Sequence, residues 1–212
     1  MKGLLLYIHG KGGNAAESAH YQPLFPGREV IGLDYQTFTP WETGAEIREA
    51  VNTLKNEYED IITIANSIGA FFSMYSGVSE KIRRAYFISP IVDMERMILD
   101  MLSLAGVTEK DLEEKGVIHT EFGEDLFWDY LCYVREHPVC WTVPTRILYG
   151  GRDNLTSYDT IARFSENHGA DLTVMDKGEH WFHTDEQMQF LDRWIIESEA
   201  GFSKEPRSMR NG

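Results

Sequence analysis

The run Ile61-Ile62-Thr63-Ile64-Ala65 is apolar on both alternating faces and continues directly into Asn66-Ser67-Ile68-Gly69-Ala70. A strand with no polar face belongs inside a parallel sheet covered on both sides. Here it ends in A-x-S-x-G, and a helix-like segment from Ile68 to Tyr75 follows at once. A strand–turn–helix of this kind holds its serine in a strained backbone conformation, with the hydroxyl lifted above the sheet edge. It also needs small neighbours so that strand and helix can approach. A serine hydroxyl is a poor nucleophile without a base and an anion site around it, so the rest of the chain can be searched for both.

Other apolar runs read as strands at Leu4–Ile8, Glu29–Asp34, Arg84–Ser89, Arg146–Tyr149 and Leu172–Met175. Thr39-Pro40-Trp41-Glu42 reads as a helix start, with a T-x-x-E capping box and proline at the first helical position. Ile47, Ala50, Val51, Leu54 and Tyr58 then recur at helical spacing. A helix is expected over Ser157–Phe164. A last one opens at the capping box Thr184–Gln187, with Met188, Leu191, Trp194 and Ile195 inward. Strands and helices alternate, which predicts an α/β protein with three layers: about six mainly parallel strands and helices on both faces. The expected strand order is second, first, third, fourth, fifth, sixth.

Residues 91–142 interrupt the alternation. They carry two or three helical patterns, one with Met94, Met97, Ile98 and Met101, another with Leu126, Phe127, Tyr130, Leu131 and Val134. This predicts one domain over residues 1–198 with an inserted helical cap at about 91–142. Residues 199–212 read as a polar tail. Of the cap aromatics Phe122, Phe127, Trp128, Tyr130 and Tyr133, one or two are expected to face the site, with Phe127 and Trp128 as candidates. Trp181 and Phe182 read as packing residues.

The base and its orienting acid appear after the last two strands. Tyr149-Gly150-Gly151-Arg152-Asp153 ends the fifth, and Asp176-Lys177-Gly178-Glu179-His180 ends the sixth. In a parallel sheet these loops share one edge with Ser67, where ligands bind. Ser67, His180 and Asp153 therefore read as nucleophile, base and orienting acid, with Asp176 as an alternative acid. The glycines of His9–Gly13 allow a backbone N–H to turn toward an oxyanion, and the N–H of Ile68 is a second donor.

At these residues the chain resembles the α/β-hydrolase family, from Leu4 to about Ile196. The family order of serine, acid and histidine matches Ser67, Asp153 and His180. The family's His-Gly oxyanion loop matches His9-Gly10, which implies the N–H of Lys11 as donor. Family members carry caps where residues 91–142 lie. Ala65 stands where the commonest pattern has glycine, and the leading antiparallel strands are missing.

The resemblance implies a serine hydrolase with no cofactor and no metal. A carboxylesterase acting on small to medium uncharged esters is the leading expectation, because the cap is rich in Met and aromatic residues. An amidase or aminopeptidase-like enzyme, a thioesterase or an acyltransferase would use the same triad. A non-catalytic ligand-binding member of the fold is a further alternative. A dinucleotide-binding protein is another, since Gly10–Ala15 matches G-x-G-x-x-A after a strand, although Pro23 and Pro26 interrupt the crossover helix that such a site needs. His180, His183 and Asp185 lack an H-E-x-x-H context for metal. The Lys11 side chain, outside any phosphate-loop pattern, reads as solvent-facing.

The net charge of -14 argues against nucleic acid and anionic membranes as partners. No run approaches the roughly 18 residues of a membrane span. Only Cys132 and Cys140 are present, which fits a reducing cytoplasm.

Overall fold

The apolar runs pair side by side in the computed structural model, which describes residues 2–204. Along the chain, β1 (Gly3–Ile8) is followed by a 3-10 helix (Ala15–Leu24), β2 (Glu29–Leu33) and α1 (Pro40–Leu54). Next come β3 (Asp60–Asn66), α2 (Ile68–Tyr75) and β4 (Ala85–Ile88). The segment between β4 and the next sheet strand holds α3 (Met94–Leu104), α4 (Glu109–Lys115), a hairpin of β5 (Val117–His119) and β6 (Asp125–Phe127), and α5 (Trp128–Glu136). The chain closes with β7 (Thr145–Gly150), α6 (Tyr158–His168), β8 (Asp171–Met175) and α7 (Asp185–Lys204).

The six-stranded sheet has the order β2-β1-β3-β4-β7-β8, and every pairing in it is parallel. This is the expected order, and it puts β3 and the serine turn in the interior of the sheet. Alternation along β1 divides the core in two. Leu4, Leu6 and Ile8 face one side, with Ile47 and Val51 of α1, Phe71 and Phe72 of α2, and Ile161 of α6. Leu5 and Tyr7 face the other, with Tyr21 and Phe25 of the 3-10 helix region and Leu191, Trp194 and Ile195 of α7. The inserted segment packs on the first side through Leu102, Leu112, Ile118, Leu126, Leu131 and Val134. Arg135 of α5 pairs with Glu95 of α3 and with Glu109 of α4, tying its helices together.

Helix α1 starts where the sequence indicates. The Thr39 hydroxyl accepts the Glu42 N–H, and Pro40 stands inside the first turn. Two local expectations are corrected. Leu126 and Phe127 lie in β6 rather than in the helix of Tyr130 and Val134, because the chain pairs Ile118 with Leu126 before α5 begins at Trp128. The polar tail expected from residue 199 starts later, since α7 continues to Lys204. Its last turns are held by tertiary contacts. Arg84, nearly buried, forms an ion pair with Glu199. The Phe202 ring packs edge-on against Tyr86 and lies under the Arg84 and Arg146 guanidinium groups. Residues 205–212 lie outside the described residues. No helix among the described residues is long and apolar enough to cross a membrane.

Removing the acid from that buried pair leaves the Arg84 charge uncompensated, so Glu199→Ala should cost about 3 kcal/mol. Urea unfolding checks this. An unchanged midpoint would show that the end of α7 contributes nothing to stability.

Candidate active site

Ser67 ends β3 and precedes α2, with φ 50° and ψ -121°. Positive φ is costly for a residue with a Cβ and persists only where surrounding structure enforces it. Three backbone bonds do so: Ser67 N–H donates to the Ile88 carbonyl, and the Ser67 carbonyl accepts from Ala70 and Ile91. Gly69 makes the turn possible. A Cβ there would lie 2.3 Å from the His9 carbonyl oxygen, so only glycine lets α2 begin against the end of β1. Ala65 is fully buried between its neighbours Ile8 and Phe87, and its methyl is accommodated.

The Ser67 hydroxyl lies 2.8 Å from His180 Nε2, and His180 Nδ1 lies 2.7 Å from Asp153 Oδ2. A carboxylate only accepts, so Nδ1 carries the imidazole proton and Nε2 is left to accept from the serine. The Asp153 side chain is fully buried, and its Oδ1 accepts the N–H groups of Leu155 and Thr156 at 2.8 and 3.0 Å. Both oxygens are thus held in place. The acid and histidine loops are also joined to each other. Arg152 N–H donates to the Gly178 carbonyl, and a Cβ on Gly150 would lie 2.5 Å from the Glu179 carbonyl oxygen. Asp176 is exposed and makes no bond to His180.

The loop after β1 is anchored by its histidine. His9 is buried, stacks on Tyr35 with ring centroids 4.1 Å apart, and accepts the Tyr35 hydroxyl at its carbonyl. The Lys11 N–H has no acceptor among the described residues. The Ile68 N–H is the first of α2 and so has no partner within the helix. The Lys11 side chain is exposed, as expected, and pairs there with Glu124 in the turn between β5 and β6.

Beside Ser67 lies a cavity of about 650 Å3. The loop of residues 10–13 and the serine turn form part of its wall, and Phe182, Met188 and Leu191 give it an apolar side. Tyr7, Glu17 and Asn66 form a polar region. Trp181, read from sequence as a packing residue, is 74% exposed at the rim and stacks on His183.

No protein-family profile matches the chain, and no curated protein matches it in sequence. Its fold has many counterparts among solved structures. Est1E from Butyrivibrio proteoclasticus superposes with a TM-score of 0.76 at 18% identity, over 94% of this chain and 88% of that one. The alpha/beta hydrolase domain-containing protein 10 from mouse gives 0.73 at 16% identity, over 95% and 92%. A thioesterase domain from the curacin biosynthetic pathway gives 0.56 at 15%, over 92% and 91%. This chain has the α/β-hydrolase fold.

Within that fold the cap candidates lie elsewhere. Phe127 and Trp128 do not line the cavity. The inserted segment packs on the α1–α2 side of the sheet, whereas the cavity opens on the side of the 3-10 helix and α7. Trp128 packs against the first core, and Phe127 is exposed. The residues missed in the sequence, Tyr7, Glu17 and Asn66, left one local signal. Asn14 and Glu17 form a capping box that opens the 3-10 helix and places Glu17 at the cavity. The glycine run after β1 therefore leads into a 3-10 helix, not the regular crossover helix of a dinucleotide site. Both ring nitrogens of His180 are engaged by Ser67 and Asp153, which removes it from any metal pair with His183.

Gly69→Ala would force the new methyl into the His9 carbonyl. It should lower stability by about 1–3 kcal/mol, the usual range for overpacking, as read by thermal unfolding. A wild-type transition in this variant would mean that α2 can move away from β1 freely.

Proposed function

We propose that the protein is a serine hydrolase that cleaves carboxylic esters of small to medium size through an acyl-enzyme. The observation carrying this reading is the bonded series Ser67–His180–Asp153, set on a strained turn beside a cavity. Its volume falls within the roughly 300–1,000 Å3 usual for small-molecule sites.

Ser67 Oγ attacks the ester carbonyl carbon while its proton passes to His180 Nε2. Negative charge develops on the carbonyl oxygen, and the N–H groups of Lys11 and Ile68 stabilise it there. The carbon–oxygen bond to the alcohol then breaks, and His180 returns the proton to the departing oxygen. Water, giving its proton to His180, attacks the acyl carbon and releases the acid, and Ser67 regains its proton. Asp153 holds the imidazole in the required tautomer and stabilises its charged form. The two cysteines, Cys132 and Cys140, are both free, which fits a reducing, cytoplasmic setting.

Ser67→Ala should lower kcat for p-nitrophenyl esters by about a million-fold and abolish labelling by a fluorophosphonate, with unfolding unchanged. Retention of most esterase activity would refute the reading. Asp153→Asn should lower kcat by about 10^4-fold through misorientation of the imidazole, whereas Asp176→Asn should leave kcat near the wild-type value. The reverse result would make Asp176 the acid.

A further inference from the structure

The polar region of the cavity has an excess of acceptors. Tyr7 OH donates to Glu17 Oε2 at 2.5 Å and accepts from Asn66 Nδ2 at 2.9 Å. The direction of this chain is fixed by chemistry. A carboxylate cannot donate, so the single phenolic proton goes to Glu17, and Asn66 must offer its amide N–H to Tyr7. Burial keeps the Tyr7 phenol protonated, with further upward pushes from Tyr21 and from Glu17. The Asn66 side-chain oxygen, Oδ1, is buried without a partner among the described residues, while the Tyr21 hydroxyl interacts with the same side chain. Glu17 keeps lone pairs beyond those taken by Tyr7 and by a long bond from Asn14 N–H.

The charges along the same wall do not balance either. Lys11 is paired with Glu124, and His20 with Asp192. His183 Nδ1 lies against the Trp181 carbonyl and 3.6 Å from Glu179, and His180 belongs to the triad. Glu17 has no cationic partner among the described residues. Glu17 is exposed at the edge of the cavity, so its carboxylate is open to a cation arriving from solvent, with an attraction partly screened by water. Its link to the reaction centre is short: two hydrogen bonds lead from Glu17 through Tyr7 to Asn66, the residue before Ser67.

We propose that Tyr7, Glu17 and Asn66 form a specificity subsite, with Glu17 binding an alkylammonium group carried by the substrate's acyl or alcohol portion. This rests on the serine-hydrolase reading and replaces the uncharged ester expected from the sequence: the substrate is an ester with an apolar stretch against Phe182, Met188 and Leu191 and a cationic end at Glu17. Anionic acyl compounds are disfavoured by the same charge.

The test compares p-nitrophenyl esters of nearly equal length that differ at the far end: 6-aminohexanoyl (cationic), heptanoyl (neutral) and the monoester of adipic acid (anionic). Choline butyrate against 3,3-dimethylbutyl butyrate makes the same comparison on the alcohol side. In wild type, kcat/KM should rank cation, neutral, anion in at least one series. The cation-to-neutral ratio should fall about tenfold in Glu17→Gln, as expected for removal of one charge from a partly screened site. Glutamine keeps the shape but has one carbonyl oxygen for the two bonds that Glu17 accepts from Tyr7 and Asn14, so the cation-to-neutral ratio within each variant, not its absolute rate, is the readout. Binding of hexylammonium to Ser67→Ala, measured by calorimetry against hexanol, reads the subsite without catalysis and should be lost in the double variant with Glu17→Gln. No cation preference in wild type on either side, or a ratio unmoved by Glu17→Gln, would overturn the subsite while leaving the triad standing. If no ester is cleaved but hexylammonium binds through Glu17, the hydrolase reading fails and the subsite stands.

Discussion

Helix α2 starts in contact with the end of β1, and the rest of the site depends on that contact. The hydrogen atom of Gly69 faces the carbonyls of Ile8 and His9 where any larger group would collide. Because the helix begins so close to the neighbouring strand, the chain must turn sharply at Ser67, and a positive φ is the result. The same closeness brings the loop after His9 alongside the first N–H of α2. The proposed nucleophile and anion donors are therefore products of one packing constraint rather than separately placed groups. Tyr35 holds this arrangement from below, by stacking on His9 and by its hydroxyl bond to the His9 carbonyl.

His180 and Asp153, the proposed base and acid, form a second unit with its own glycine dependence. Gly150, Gly151 and Gly178 let the loops after β7 and β8 touch backbone to backbone. A hydrogen bond from Arg152 to Gly178 joins them. Asp153 then has no freedom left, since its two oxygens serve His180, Leu155 and Thr156. Among the described residues, the Ser67–His180 hydrogen bond is the one that links the two units directly through side chains. Such an arrangement holds the His180 tautomer fixed, as the proposed proton transfer requires.

What could be read in the sequence follows the range of the forces involved. The four inner strands were legible because burial on both faces leaves continuous apolar runs, and the edge strands β2 and β8, only partly buried, were legible from their β-branched and apolar residues. The serine turn was legible because its steric demands fall on adjacent residues, Ala65 and Gly69. Strands β5 and β6 were not, since each has three residues and Leu126 and Phe127 also fit the helical spacing of Tyr130 and Val134. The true end of α7 was hidden because Glu199 is anchored by Arg84, 115 residues away in sequence. Phe127 and Trp128 were placed at the site on the strength of being aromatic. Which face of the sheet an insertion covers is a tertiary fact, and here the cavity lies on the other face. Tyr7 was concealed differently: in the run Leu4–Ile8 it reads as one more core residue, and only its hydroxyl partners give it another role.

The 3-10 helix Ala15–Leu24 sits apart from both catalytic units, yet it supplies Glu17, His20 and Tyr21 to the cavity wall. Its fixed points are few. The Ala15 carbonyl lies where Gly32 leaves room for it, and Tyr21 is sunk in the second core. The positions between them are mostly exposed and free of the sheet's packing rules. The proposed chemistry and the proposed selectivity thus fall on different stretches of chain. If the subsite is as proposed, this ten-residue segment between β1 and β2 could be rewritten to redirect ligand preference, so long as the bonds from Glu17 through Tyr7 to Asn66, beside Ser67, are kept.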